Sequence, residues 1–154
     1  MKFFFTILGF SLLVLVACSN QKSASGQAIT QGITGFVREM SGNQQPSPDI
    51  PESQGKALQT TIYVYETTNT SQVVRAGSSP FYDSILTRFI TKVESDEKGR
   101  FVLDLPVGNY SLFTKVNGRF YANSFDVKNN IAPVEVKEKQ VSEVNITISA
   151  GATY

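Results

Sequence analysis

The stretch Ser95–Gly118, SDEKGRFVLDLPVGNYSLFTKVNG, decides how the rest of the chain is read. It contains two runs of alternating residues. Phe101, Leu103 and Leu105 fall on one face, with Arg100, Val102 and Asp104 on the other; beyond Pro106 and Gly108 the alternation resumes with Tyr110, Leu112, Thr114 and Val116. Period two belongs to a strand with one buried face, because successive side chains point to opposite sides of the sheet. The punctuation agrees. Gly99 closes a turn before the first run, Pro106 and Gly108 turn a corner between the two, and Asn117-Gly118 is the dipeptide of a two-residue type I′ hairpin, whose central residues both need positive φ.

The same pattern extends in both directions. Ile62 and Val64 alternate with Tyr63 and Tyr65; Phe89, Thr91 and Val93 alternate with Arg88, Ile90 and Lys92; Val144, Ile146 and Ile148 point inward near the end. From Ile33 onward no run keeps apolar residues at i, i+3, i+4 and i+7 for three turns, so no long amphipathic helix is expected. At least seven strands with short turns over residues 32–149 imply an all-β chain: a single antiparallel sandwich of seven to eight strands, with residues 150–154 as a tail. Two loops interrupt it. Residues 41–57 hold three prolines, which cannot serve a central ladder, and residues 67–84 are polar with Pro80-Phe81-Tyr82 near their end.

The residues Gly35-Phe36-Val37, then IYVYE, then Asp96, Gly99, Phe101, Leu103, Leu105, Pro106, Gly108 and Tyr110 resemble the carboxypeptidase-regulatory-like family, with its D-x-x-G-x-F-x-L-x-L-P-x-G-x-Y core. The resemblance covers roughly Ile33 to Ile148. It implies a transthyretin-like sandwich of seven strands, grouped with carbohydrate-binding-like folds, and a non-catalytic accessory role. The matching positions are packing and turn residues, so they carry fold and no active site.

The N-terminus has a different character. Met1-Lys2 is followed by fifteen mostly apolar residues, Phe3–Ala17. As a helix these reach about 22 Å at about 1.5 Å per residue, short of the ~30 Å hydrocarbon core, which suits a secretory signal peptide over residues 1–17 and not a membrane span. The segment ends Leu15-Val16-Ala17-Cys18, and this resembles the lipobox of bacterial lipoproteins. The resemblance implies cleavage before Cys18 and a diacylglycerol on its sulfur. Residues 18–31, rich in Ser, Gln and Gly, read as a flexible linker. Ser19 rather than Asp follows the cysteine, and the first acidic residue after it is Glu39. Among lipoproteins of the kind it resembles, an Asp at that position marks inner-membrane retention and an acidic cluster after the cysteine marks surface export, so the resemblance implies the outer membrane, on its periplasmic face rather than the cell surface.

Function is constrained mainly by exclusion. Lys plus Arg total 14 and Asp plus Glu 13, so no basic face for nucleic acid is expected. With no histidine and one cysteine, an intrachain disulfide and a Cys/His zinc site are ruled out by counting, and nucleophilic catalysis lacks its usual base. No enzyme, metal or cofactor is expected. What remains is a structural or interaction module whose partners are the membrane, through the lipid, and an envelope protein or glycan. The alternative is a carbohydrate- or peptide-binding module using exposed aromatics. Phe81, Tyr82 and Tyr121 are the expected ligand contacts, with Tyr63, Tyr65, Phe120 and Phe125 as further aromatic candidates. Asp83-Ser84-Ile85 resembles the O-glycosylation motif of Bacteroidota and marks Ser84 as a modification candidate.

Overall fold

The computed structural model describes residues 28–43, 55–77 and 80–153. The expected signal peptide, Cys18 and most of the expected linker lie outside these residues, as does most of the proline-rich segment. The strands in chain order are β1 (Gly32–Asn43), β2 (Lys56–Ala57), β3 (Thr61–Glu66), β4 (Val73–Arg75), β5 (Phe81–Ile85), β6 (Phe89–Glu94), β7 (Arg100–Leu103), β8 (Gly108–Val116), β9 (Arg119–Tyr121), β10 (Pro133–Val136) and β11 (Val141–Thr153). Among the described residues the only helical element is a single 3₁₀ turn, Thr70–Gln72.

Two sheets form. In the first, β11 pairs with β1, and the other edge of β1 pairs with β7 and then β2. In the second, the order is β4-β5-β9-β8-β3-β6, with β10 also on β8. The chain is an all-β sandwich. Its main core lies between the sheets: Ile33, Val37, Ile62, Val64, Phe101, Leu103, Leu105, Tyr110, Leu112, Tyr121, Val134, Val136 and Ile148. The alternating residues of the opening stretch thus face inward.

Local chemistry accounts for the motif spacing. The Tyr110 hydroxyl donates to the Pro106 carbonyl at 2.9 Å, bridging the corner that leads into β8. Gly108 lies inside that bridge, where a Cβ would come within 3.1 Å of the hydroxyl oxygen, so Pro106, Gly108 and Tyr110 form one device. Asn117 and Gly118 have φ of 50° and 80°, as the type I′ reading of the β8–β9 hairpin requires.

Several details differ from the sequence reading. The pair β1 and β11 is parallel, which is possible because the whole domain lies between them in the chain and provides the crossover. The polar segment 67–84 contains β4 and the start of β5. Its strands escape notice because Val73-Val74-Arg75 is too short to show a period. The tail expected from residue 150 continues as strand through Thr153, paired with β1.

β8 also buries both faces. Tyr110 and Leu112 enter the main core, whereas Ser111 and Phe113 are fully buried on the opposite side. A second cluster accounts for this: Tyr65, Tyr82, Phe113, Ala122 and Ile131, with Tyr63, Val73, Ile85, Phe120 and Ala132 packed against it. By strand alternation it occupies the outer face of the larger sheet.

Candidate binding face

The outer cluster is built from rings that sequence alternation places opposite the main core. Tyr63 and Tyr65 on β3 point away from Ile62 and Val64, Phe113 on β8 points away from Leu112, and Phe120 on β9 points away from Tyr121. Edge-to-face contacts join them: Tyr63 to Phe120 at 5.5 Å, Tyr65 to Phe113 at 5.7 Å, Tyr65 to Phe120 at 5.9 Å and Tyr82 to Phe113 at 5.9 Å. Such geometry sets the positive edge of one ring against the negative face of the next. Lys115, exposed on β8, holds its ammonium 5.2 Å from the Tyr63 centroid and 4.8 Å from that of Phe120. Burial raises the Tyr65 phenol above its usual range, and the neighbouring Tyr63 phenol adds to the rise.

Phe89 completes the rim. It stacks edge-on to Tyr65 at 5.5 Å and remains 47% exposed. The alternation in the sequence sets it in phase with Thr91 and Val93. A register shift at Val64/Tyr65 sets Tyr65 opposite Phe89, and so moves Phe89 to the outer face while Ile90 and Val93 pack on the main core. Phe113 and Lys115 were not among the expected contacts. The signal for them was present, since both occupy the second phase of the β8 alternation.

The expected ligand contacts fare differently. Tyr82 is completely buried, its ring against Phe113 and its hydroxyl donating to the Ala122 carbonyl at 3.4 Å. Tyr121 is also buried, and its hydroxyl accepts from the Ser149 amide at 2.9 Å while lying 3.1 Å from the Ser149 hydroxyl. It pins the larger sheet to β11. Both rings are therefore core, not contact surface, because β5 is a paired strand with β4 and β9 on its two edges. Phe81 is half-buried, edge-on to Tyr121 at 5.4 Å. Ser84 is half-buried in β5, paired with Val74, and Phe125 is 44% exposed at an isolated bridge with Ile131.

The carboxylates have structural partners. Asp96 accepts from the amides of Lys98 and Arg100 and pairs with the Arg100 guanidinium; Asp126 accepts from the amides of Lys128 and Asn130 and from the Asn130 side chain. The two turns share a pattern, Asp-x-Lys-Gly/Asn-Arg/Asn, with the fourth residue left-handed at φ of 74° and 61°. The amide of Arg100 holds Asp96, and that of Asn130 holds Asp126, below the usual carboxylate range. Among the described residues no group of three or more His, Cys, Asp or Glu could hold a metal ion.

The chain matches no known family model, no curated protein and no solved structure.

Proposed function

We propose that this chain is a non-catalytic, lipid-anchored envelope protein: a β-sandwich held on the outer membrane through Cys18 that serves as a structural or interaction module. The lipobox-like sequence at Leu15–Cys18 supports the anchor. The first strand begins at Gly32, fourteen positions after Cys18, so the leash can extend about 46–50 Å at about 3.3–3.6 Å per residue. That reach suits a domain engaging a partner near the membrane.

The single observation carrying the interaction reading is the outer aromatic face, where Phe89, Tyr63 and Phe120 lie with Lys115 on the surface of a sheet already filled on its other side. Aromatics and a cation grouped beside a packed layer make a site that an apolar or ring-shaped group can cover. The same observation supports the second reading, a carbohydrate- or peptide-binding module, with this face replacing the buried Tyr82 and Tyr121.

Phe89→Ala and Lys115→Ala separate the two readings, because both side chains are exposed and the fold should survive their loss. In the interaction reading, membrane pull-downs recover an envelope protein that the variants fail to capture. In the binding-module reading, a glycan or peptide array gives signals that the variants lose. Binding that persists unchanged in both variants would remove this face from the account.

A further inference from the structure

The sandwich has several strands at its sheet edges, and all but one carry a device that blocks further pairing. β2 has two residues and β4 has three; β10 is four residues long and opens with Pro133; β7 is four residues long and begins with Arg100; β6 is bulged against its neighbour and carries Lys92 and Glu94. Short strands, proline, bulges and charge are the usual means by which proteins protect a sheet edge. In β11 these are confined to one charge and to a register shift against β1 beyond Ile148, so Val141–Ile148 runs unbroken. The strand runs thirteen residues, VSEVNITISAGAT, without proline, lysine or arginine, and its one charge is Glu143.

The pairing phase shows which groups are free. Gln140 accepts at its carbonyl from the Gly32 amide, and Ile33 lies opposite Ser142 in a parallel ladder, so the even residues of β11 bond to β1. The N–H and C=O groups of Glu143, Asn145 and Thr147 point to the other edge, where no described strand pairs with them; β10 lies near the start of β11, its Glu135 carbonyl accepting from the Ser142 hydroxyl at 2.7 Å. The side chains of Glu143, Asn145 and Thr147 are exposed, and Val144 and Ile146 between them are only half-buried.

We propose that this edge pairs with β11 of a second copy of the chain, antiparallel about a two-fold axis at Asn145. The sequence is self-complementary in that register. Asn145 meets its own copy, Val144 meets Ile146 on the inner face, and Glu143 meets Thr147 on the outer face. The only charge in the strand avoids its own image, and each free amide finds a carbonyl. The result is one continuous sheet through both sandwiches, with the Glu143–Thr147 edge of each copy closed by symmetry. This inference is independent of the lipid anchor, and its readouts do not depend on membrane association.

Cross-linking and charge exchange test it on the whole chain purified in detergent. In a hydrogen-bonded antiparallel pair the Cα atoms lie about 5.5 Å apart, inside the ~4.4–6.8 Å range of disulfides. Asn145→Cys should therefore give an oxidised dimer beyond any wild-type background from Cys18, whereas Glu143→Cys alone should not. Thr147→Glu sets like charges opposite one another twice and should weaken dimerisation about fivefold, while Thr147→Lys meets Glu143 and should preserve or tighten it. Because both changes fall at one exposed site, the lysine variant also controls for folding. A wild-type chain that sediments as a monomer, an Asn145→Cys variant with no added dimer, or equal effects of Glu and Lys at position 147 would each overturn the proposal.

Discussion

Single side chains in this protein are used mostly to hold backbone in place. Asp96 and Asp126 close two turns of the same design, each accepting two backbone amides and a side-chain donor. These bonds favour the ionised form, so the folded-state pKa lies below the unfolded value. The stability gained is fully present above the unfolded value of about 3.9 and is lost as the pH falls through the folded one. Urea midpoints measured from neutral pH down to about 2 should therefore fall less steeply in Asp96→Asn and Asp126→Asn than in the parent, with the difference confined to the acid limb below about 4. Thr114 behaves differently: it is fully buried in β8, and its hydroxyl has no partner. Thr114→Val keeps the shape and removes the stranded polar atom, and should raise stability by about 1 kcal/mol in the same assay.

At the scale of elements, the close approach of β1 and β11 depends on Gly35. A Cβ there would come within 1.7 Å of the Val144 carbonyl oxygen, which is backbone and cannot swing aside. Gly35→Ala should cost about 1–3 kcal/mol, seen as a lower thermal midpoint, with near-ultraviolet dichroism showing loosened packing. Phe113, buried between Tyr65, Tyr82 and Phe120, should cost about 3–5 kcal/mol when cut to alanine. Phe89→Ala, at the exposed rim, should cost far less. The sequence showed these elements unevenly. Strands such as β7 and β8 were legible because one face is mainly apolar and Pro, Gly and Asn mark their ends. β4 and β5 were not, because three- and five-residue strands in a polar segment draw their burial from neighbours far away in the chain. The shared phase of Phe89 and Val93 breaks for a related reason: a bulge changes phase, and nothing local in Arg88–Glu94 records it.

In the whole molecule, the larger sheet is the middle layer, with the main core on one side and the aromatic cluster on the other. Alternation in β3 and β8 foretold both sets of side chains, but a half-polar reading hid the second, since tyrosine, serine and lysine pass for a solvated face. The ligand contacts assigned to Tyr82 and Tyr121 illustrate this: an aromatic residue in a polar stretch looks exposed until its strand partners are known. The parallel pairing of β1 with β11 joins the ends of the domain. It leaves the chain's first strand beside its last, and the proposed leash from Cys18 enters at that side. Mass spectrometry of the N-terminal peptide from membrane-associated protein tests the anchored account most directly. The account predicts a chain beginning at Cys18 with a thioether-linked diacylglycerol on its sulfur; a chain beginning elsewhere, or a Cys18 with a free thiol, would contradict it.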